Sequence, residues 1–263
     1  MTSDASFTNE AVTLVDKAES AGLRLRVLGA TAIRLHCPQH RQLFEVLNRR
    51  ISDIDFGAYR KQKNEVTRFL AGQGYKPQQH LTLGAAFTGR EIFEGKNGKH
   101  VDVFFDKLEF CHTVSFSNRL EKDRPTLALA ELILEKMQIV RINEKDVKDT
   151  SVLLLEHDIG DNDTDVVNAE HIARVLSNDW GFYYTLTTNL KRVDGCLSKY
   201  ELTDEERGLV RTKVGKLLER IDKEPKSMSW KLRETVGTRK KWYRDVEEID
   251  RAEWLGQPSK ETV

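Results

Sequence analysis

Three aspartates hold the chemistry that this sequence can offer. Asp53 and Asp55 sit one residue apart in "SDIDF", inside an apolar frame. Side chains alternate along a strand, so both carboxylates point to one side of it. Two like charges in an apolar setting repel, and each is costly there unless a cation compensates. Taken as a tripeptide, "DID" reads best as a strand-edge pair in water. The wider sequence shifts that balance. Asp102 lies in "HVDVFF", a second apolar segment with a carboxylate in its middle. Val101, Val103 and Phe105 take one face of that strand, while Asp102 and Phe104 take the other. If the two strands are neighbours, three carboxylates converge. Three hard oxygen ligands without His or Cys suit Mg²⁺ or Mn²⁺ rather than zinc. Two such ions, about 4 Å apart, can clamp both sides of a phosphoryl displacement.

Upstream stands "LRVLGATAIRLH". A strand that ends at Gly29 and passes at once into a helix leaves backbone N–H groups where a phosphate could bind. No Gly-Lys-Thr/Ser follows, so this is not a Walker loop, and the Gly-x-Gly-x-x-Gly pattern is missing too.

The elements that must position these groups follow from hydrophobic spacing. Residues 8–21 carry Ala11, Leu14, Val15 and Ala18 at helical spacing. Residues 23–28 alternate apolar side chains with Arg, which predicts a half-buried strand. A helical turn or short helix over 31–37 is closed by Pro38. A second strand is expected over 53–59 and a helix over 61–74. Residues 91–94 and 99–106 flank Gly95-Lys96-Asn97-Gly98, a hairpin signal. From Pro125 onward the spacing is helical, over 126–139, 145–156, 168–178 and 180–196. Thr203 to Glu206 forms a capping box ahead of an amphipathic helix that runs to about Ile221. The order predicts an α+β fold with a mixed sheet, followed by helices.

Composition narrows the setting. The chain has 263 residues, with 42 Lys+Arg balanced by 42 Asp+Glu. Zero net charge means that any nucleic-acid footprint must be local. The longest apolar stretches, such as residues 152–155, are far too short to span a membrane. The first residues lack a basic region followed by an apolar one, so no signal peptide is expected. Three widely spaced cysteines, Cys37, Cys111 and Cys196, point to a reducing cytoplasm rather than a disulfide framework.

The ordered set "LGATAIRLH", "RRISDIDF" and "HVDVFF" resembles the nucleotidyltransferase superfamily, with its small-residue turn, Asp-x-Asp strand and third Asp on a later strand. The segment "LALAELILEKMQIVRINEKDVKDTSVLL" looks like the helical part of the AbiEii-type group, which includes toxins of toxin–antitoxin systems. There Lys136, Lys145, Asp146 and Asp149 match a Lys in an apolar helix, then Lys-Asp, then Asp. The resemblance covers roughly residues 20–195. It implies a nucleotidyltransferase domain over 1–124 and a helical domain over 125–263. It further implies Mg²⁺- or Mn²⁺-dependent transfer of a nucleoside monophosphate from an NTP to a hydroxyl on an RNA 3′ end, a protein side chain or a small molecule, with a cognate antitoxin as a possible partner. Asp53 and Asp55 would hold the metal ions, and Asp102 would bind one ion and accept the proton of the attacking hydroxyl. Gly29, Ala30 and Thr31, with Lys136, Lys145 and Asp149, would bind the nucleotide. The turn departs from the usual Gly-Gly or Gly-Ser: Ala30 lacks the serine hydroxyl, and Thr31 is the available substitute. The competing expectation is a catalytically decayed module that binds RNA or a protein through its basic helical end.

Other clusters are weaker. His36, Cys37 and His40, with Cys111 and His112 far downstream, lack the spacing of a structural zinc site. Asp161, Asp163 and Asp165 open like a calcium loop, but Val166 and Ile172 stand where Gly and Glu are needed. Residues 226–244 hold seven basic residues and one acid, with Trp230, Trp242 and Tyr243 interleaved. That mix suits phosphate contact plus base stacking, and equally a solvated helix face over buried aromatics.

Overall fold

The computed structural model describes residues 4–78, 89–95 and 98–246. Helix α1 (Asp4–Ser20) buries Phe7, Ala11, Leu14, Val15 and Ala18 along one stripe. Strand β1 (Leu25–Leu28) runs without a loop into α2 (Gly29–His36), and α3 (Arg41–Val46) follows. Then come β2 (Asp53–Ala58), α4 (Lys63–Gly72), β3 (Tyr75–Pro77), β4 (Arg90–Gly95) and β5 (His100–Phe105). The five strands form one mixed sheet in the order β1-β2-β5-β4-β3. Only the β2–β5 pairing is parallel among them. The β4–β5 hairpin is antiparallel as predicted, with Lys96 and Asn97 of its turn lying outside the described residues.

Strand β1 differs from expectation. All four of its residues are buried, because its second edge is covered. The Val27 N–H donates to the Pro125 carbonyl (3.0 Å), and the Leu127 N–H donates to the Val27 carbonyl (2.8 Å). Arg26 is therefore buried, with its guanidinium donating to the Asp123 carbonyl (2.7 Å) and paired with Glu19 (2.8 Å). A buried arginine is tolerated where its donors are satisfied in this way.

Beyond the sheet, β6 (Lys107–Glu109) and β7 (Thr113–Ser115) form a small antiparallel ribbon. Helices α5 (Leu129–Met137) and α6 (Glu144–Glu156) precede a short parallel pair, β8 (Asp158–Gly160) and β9 (Val166–Asn168). Asp163, between those strands, accepts from Arg119 and Asn168 instead of opening a calcium loop. Helices α7 (Ala169–Leu176), α8 (Trp180–Cys196), α9 (Asp204–Lys223) and α10 (Met228–Val236) complete the described chain. The predicted capping box opens α9, with Thr203 and Glu206 exchanging backbone and side-chain bonds. One apolar core runs from Phe7 through the sheet to Ile221 without a break near residue 124. Among the described residues, no helix is long and apolar enough to cross a membrane.

Candidate functional site

Strand register decides where the carboxylates go. The parallel pairing sets Asp55 opposite Asp102, and the antiparallel pairing sets Leu28 opposite Asp55. Asp53 lies two residues before Asp55, on the same face. Each of the three aspartates offers an oxygen, and these oxygens all lie within 4.8 Å of one another. Asp102 is 1 % exposed, and the Arg90 guanidinium donates to it. Arg90 in turn lies against the Phe104 ring, 5.3 Å from its centroid. Burial, then the charges of Asp53, Asp102 and Glu135, push the Asp55 carboxyl well above its ordinary range, with Arg90 opposing. Three carboxylates crowded this closely, with Arg90 offsetting one charge, are a donor set that fits a hard divalent cation.

The turn after β1 is shaped by its neighbours. Gly29 has φ +71°, and a Cβ there would stand 2.4 Å from Asp55 Oδ2. Only glycine meets both demands. Its N–H was expected to be available to a phosphate, but it donates to Glu135 Oε2 at 3.1 Å. Thr31 does not replace the missing serine either. Its hydroxyl is buried and donates to the Asp53 carbonyl at 3.1 Å, which ties α2 to the aspartate strand. Ala30 is buried in the core.

The aspartate face opens into a cleft of about 560 Å³, lined by Gly29, Asp55, Glu135 and Lys136, and by Phe110 and Tyr243. Asp55 is the triad member that lines it, whereas Asp102, the expected proton acceptor, is covered. Lys136 does reach the cleft, yet its ammonium is committed to Asp146 (3.0 Å) and Asp149 (3.2 Å). Burial works against that charge, but Asp146, Asp149 and Glu135 outweigh it and raise the Lys136 pKa. Asp149 is fully buried and also receives two bonds from Arg49, at 2.9 and 2.8 Å. Lys145 stands apart from this group. It is exposed on α6 and is not among the residues that line this cleft. Four residues of spacing put Lys145 and Asp149 on adjacent turns, but the burial boundary of α6 falls between them.

Sequence spacing alone missed Arg49, Arg90 and Glu135. Glu135 carried the same signal as its neighbour Lys136, a charge inside an apolar helix. Arg49 gave none, because its partner lies 100 positions away. Arg90 lies 12 positions from Asp102 across the predicted hairpin, and that cross-strand placement was the signal that could have found it. Glu135 has a measurable consequence. Burial pushes its carboxyl up to about 7, against Lys136 and the Gly29 N–H, with Asp146 and Asp149 adding to the rise. A raised carboxyl pKa means that the folded state holds a proton the unfolded chain has lost. Stability from this group is therefore full at low pH and falls as pH rises between 4.5 and about 7. Glu135→Gln keeps the acceptor for Gly29 and removes the charge. It is expected to stabilise the metal-free protein by about 3 kcal/mol at pH 8 and to leave it unchanged near pH 4. Denaturant titrations of both proteins across that range check this; parallel pH profiles would refute it.

No family model, curated protein or solved structure matches the chain.

Proposed function

We propose that the chain is a divalent-metal-dependent nucleotidyltransferase, moving a nucleoside monophosphate from an NTP to an acceptor hydroxyl. The observation that carries this reading is the convergence of Asp53, Asp55 and Asp102 within 4.8 Å on one sheet face, beside a cleft shared with Lys136. Asp53, Asp55 and Asp102 would hold Mg²⁺ or Mn²⁺, which when bound supplies the positive charge that a triphosphate and its leaving group require. The acceptor oxygen attacks the α-phosphorus, the bond to the bridging oxygen breaks, and pyrophosphate leaves. Asp55, facing the cleft, accepts the hydroxyl proton. Lys136 is held rigidly by Asp146 and Asp149, so it supplies a fixed positive edge rather than a mobile phosphate hook. Arg141, exposed on the cleft wall and without an acidic partner among the described residues, is the cation left to meet the phosphate tail. A toxin with a cognate antitoxin is the biological setting the sequence resemblance suggests.

One observation favours a second reading. Glu135 occupies the Gly29 N–H, as expected of a decayed site that binds RNA or a protein without turnover. The test is incubation with each labelled NTP and Mg²⁺, together with total RNA and protein extract. Label in an RNA, protein or small-molecule fraction supports transfer and identifies the acceptor class. Nucleotide or RNA binding with no labelled product under any NTP overturns transfer in favour of the binding module.

A further inference from the structure

The basic-aromatic segment at the end of the described chain has a place in this cleft. After α10 ends at Val236, the chain doubles back, and two neighbouring side chains pin it down. The Trp242 indole N–H donates to Thr185 Oγ1 on α8 at 3.0 Å, and its ring stands edge-on to Tyr184 at 5.2 Å. Helix α8 is cut away to receive it: a Cβ on Gly181 would lie 2.5 Å from the Trp242 carbonyl oxygen. On the other side, the Arg244 N–H donates to the Cys111 carbonyl (3.0 Å). The Arg244 guanidinium donates to the Phe110 carbonyl (3.1 Å) and to Thr113 Oγ1 (2.9 Å). Tyr243 sits between these two anchors, half-buried and among the residues that line the cleft, with its ring edge-on to Trp242 at 5.2 Å and Lys241 Nζ 5.2 Å from its centroid.

The cleft thereby has two unlike groups in its lining. Asp55, Glu135 and Lys136 form a charged group with Gly29, linked by the Gly29–Glu135 bond. Phe110 and Tyr243 form an aromatic group, held together through Arg244, with Val140 joined to them by its N–H to Cys111 Sγ (3.4 Å). Phe110 is itself fixed edge-on against Phe104, 5.8 Å between centroids. A ligand that engages both groups carries a metal-bound polyanion and a flat apolar ring. Trp230, by contrast, is buried against Tyr183 and contributes nothing to this wall.

We infer that Tyr243 and Phe110 form the nucleobase platform of the cleft, with Tyr243 as the residue that positions the base. The inference rests on the nucleotidyl-transfer reading for the identity of the ligand. Aromatic stacking accepts any base, so the platform sets affinity and orientation rather than strict base choice.

The test is equilibrium binding in Mg²⁺ of the four NTPs and of inorganic tripolyphosphate, which has the charged end of the ligand and no base. Tyr243→Ala is expected to weaken every NTP that the wild type binds by about tenfold, the size of one base–aromatic stack. It should leave tripolyphosphate unchanged, and Tyr243→Phe should restore NTP binding. Tyr243→Leu keeps apolar bulk in the strap without a flat ring, and the same selective loss is expected if the alanine variant fails to fold. Equal losses for NTP and tripolyphosphate, or no loss for either, would overturn the platform while leaving the transfer reading intact. A wild-type protein that binds tripolyphosphate no more weakly than any NTP also overturns it. A wild-type protein that binds neither removes the nucleotide reading and the platform with it.

Discussion

Asp149→Ala is expected to cost about 3–5 kcal/mol of folding stability, the penalty for leaving buried charges without their partner. Asp149 is fully buried between Arg49, which binds it with two nitrogens, and Lys136. Alanine would strand the Arg49 guanidinium, itself 7 % exposed, and leave Lys136 with Asp146 as its close counter-ion. At about 2–4 °C per kcal/mol for a chain of this size, the melting temperature should fall by about 10 °C. The network also gives the protein an acid limit. Burial pushes the Asp149 carboxyl up, but Lys136 and Arg49 outweigh it and hold the pKa below its ordinary 3.8. Stability from this group is thus present above pH 4 and lost as pH falls below it. Replacing Asp149 by Leu together with Arg49 by Met should recover part of the loss, since apolar groups of similar size need no counter-charge. Calorimetry of the three proteins decides the matter, and a loss under about 1 kcal/mol in Asp149→Ala would show that the network does not stabilise the fold. The same geometry bears on Lys136→Ala, because Lys136 also pairs with Asp149. That change disturbs the fold as well as the cleft, so it cannot isolate ligand binding.

Much of the sheet was legible because strand chemistry is local. Apolar alternation in "DIDF" and "HVDVFF" marks both strands, and period two fixes which side Asp53, Asp55 and Asp102 face. That β2 and β5 would be adjacent, with Asp55 level with Asp102, depends on the whole strand order. Two of the remaining site residues, Glu135 and Arg49, are long-range by nature. Glu135 meets Gly29 across 106 positions, and Arg49 meets Asp149 across 100. Helical spacing could suggest that Lys136 was unusual but not that two carboxylates from α6 would hold it. Arg26 illustrates the converse error. Alternation predicts a wet face for β1, and the cover supplied by residues 125–127 cannot be read from β1 itself. The short β6–β9 pairs escaped because three residues carry too little periodicity to register.

The second large effect concerns Asp55→Asn, which is expected to lower NMP transfer by at least about 100-fold while leaving the fold intact. The loss follows from the proposed role: removing a metal-holding carboxylate costs more than the 10- to 100-fold typical of groups that merely orient such ligands. The stability expectation has the opposite sign. The Asp55 carboxyl is raised well above 3.8, first by burial and then by Asp53, Asp102 and Glu135. Its stabilising contribution is full at low pH and falls as pH rises through that window, so the ionised aspartate is a burden on the metal-free fold at neutral pH. Asparagine has nearly the same shape and no charge, and the metal-free variant should melt at the wild-type temperature or above it. Metal should then reverse the ranking. A cation held by the triad at one hundred times its Kd would add about 2.7 kcal/mol to the wild type. It should add much less to Asp55→Asn, which offers two carboxylates instead of three. Melting curves of both proteins, with and without Mn²⁺, separate these contributions without relying on activity. If the metal-free variant melts well below the wild type, Asp55 is a structural residue, and its contacts outweigh its repulsion with Asp53 and Asp102. If Mn²⁺ raises both proteins equally, the triad is not where the cation binds, and the metal-dependent reading loses the observation that carries it.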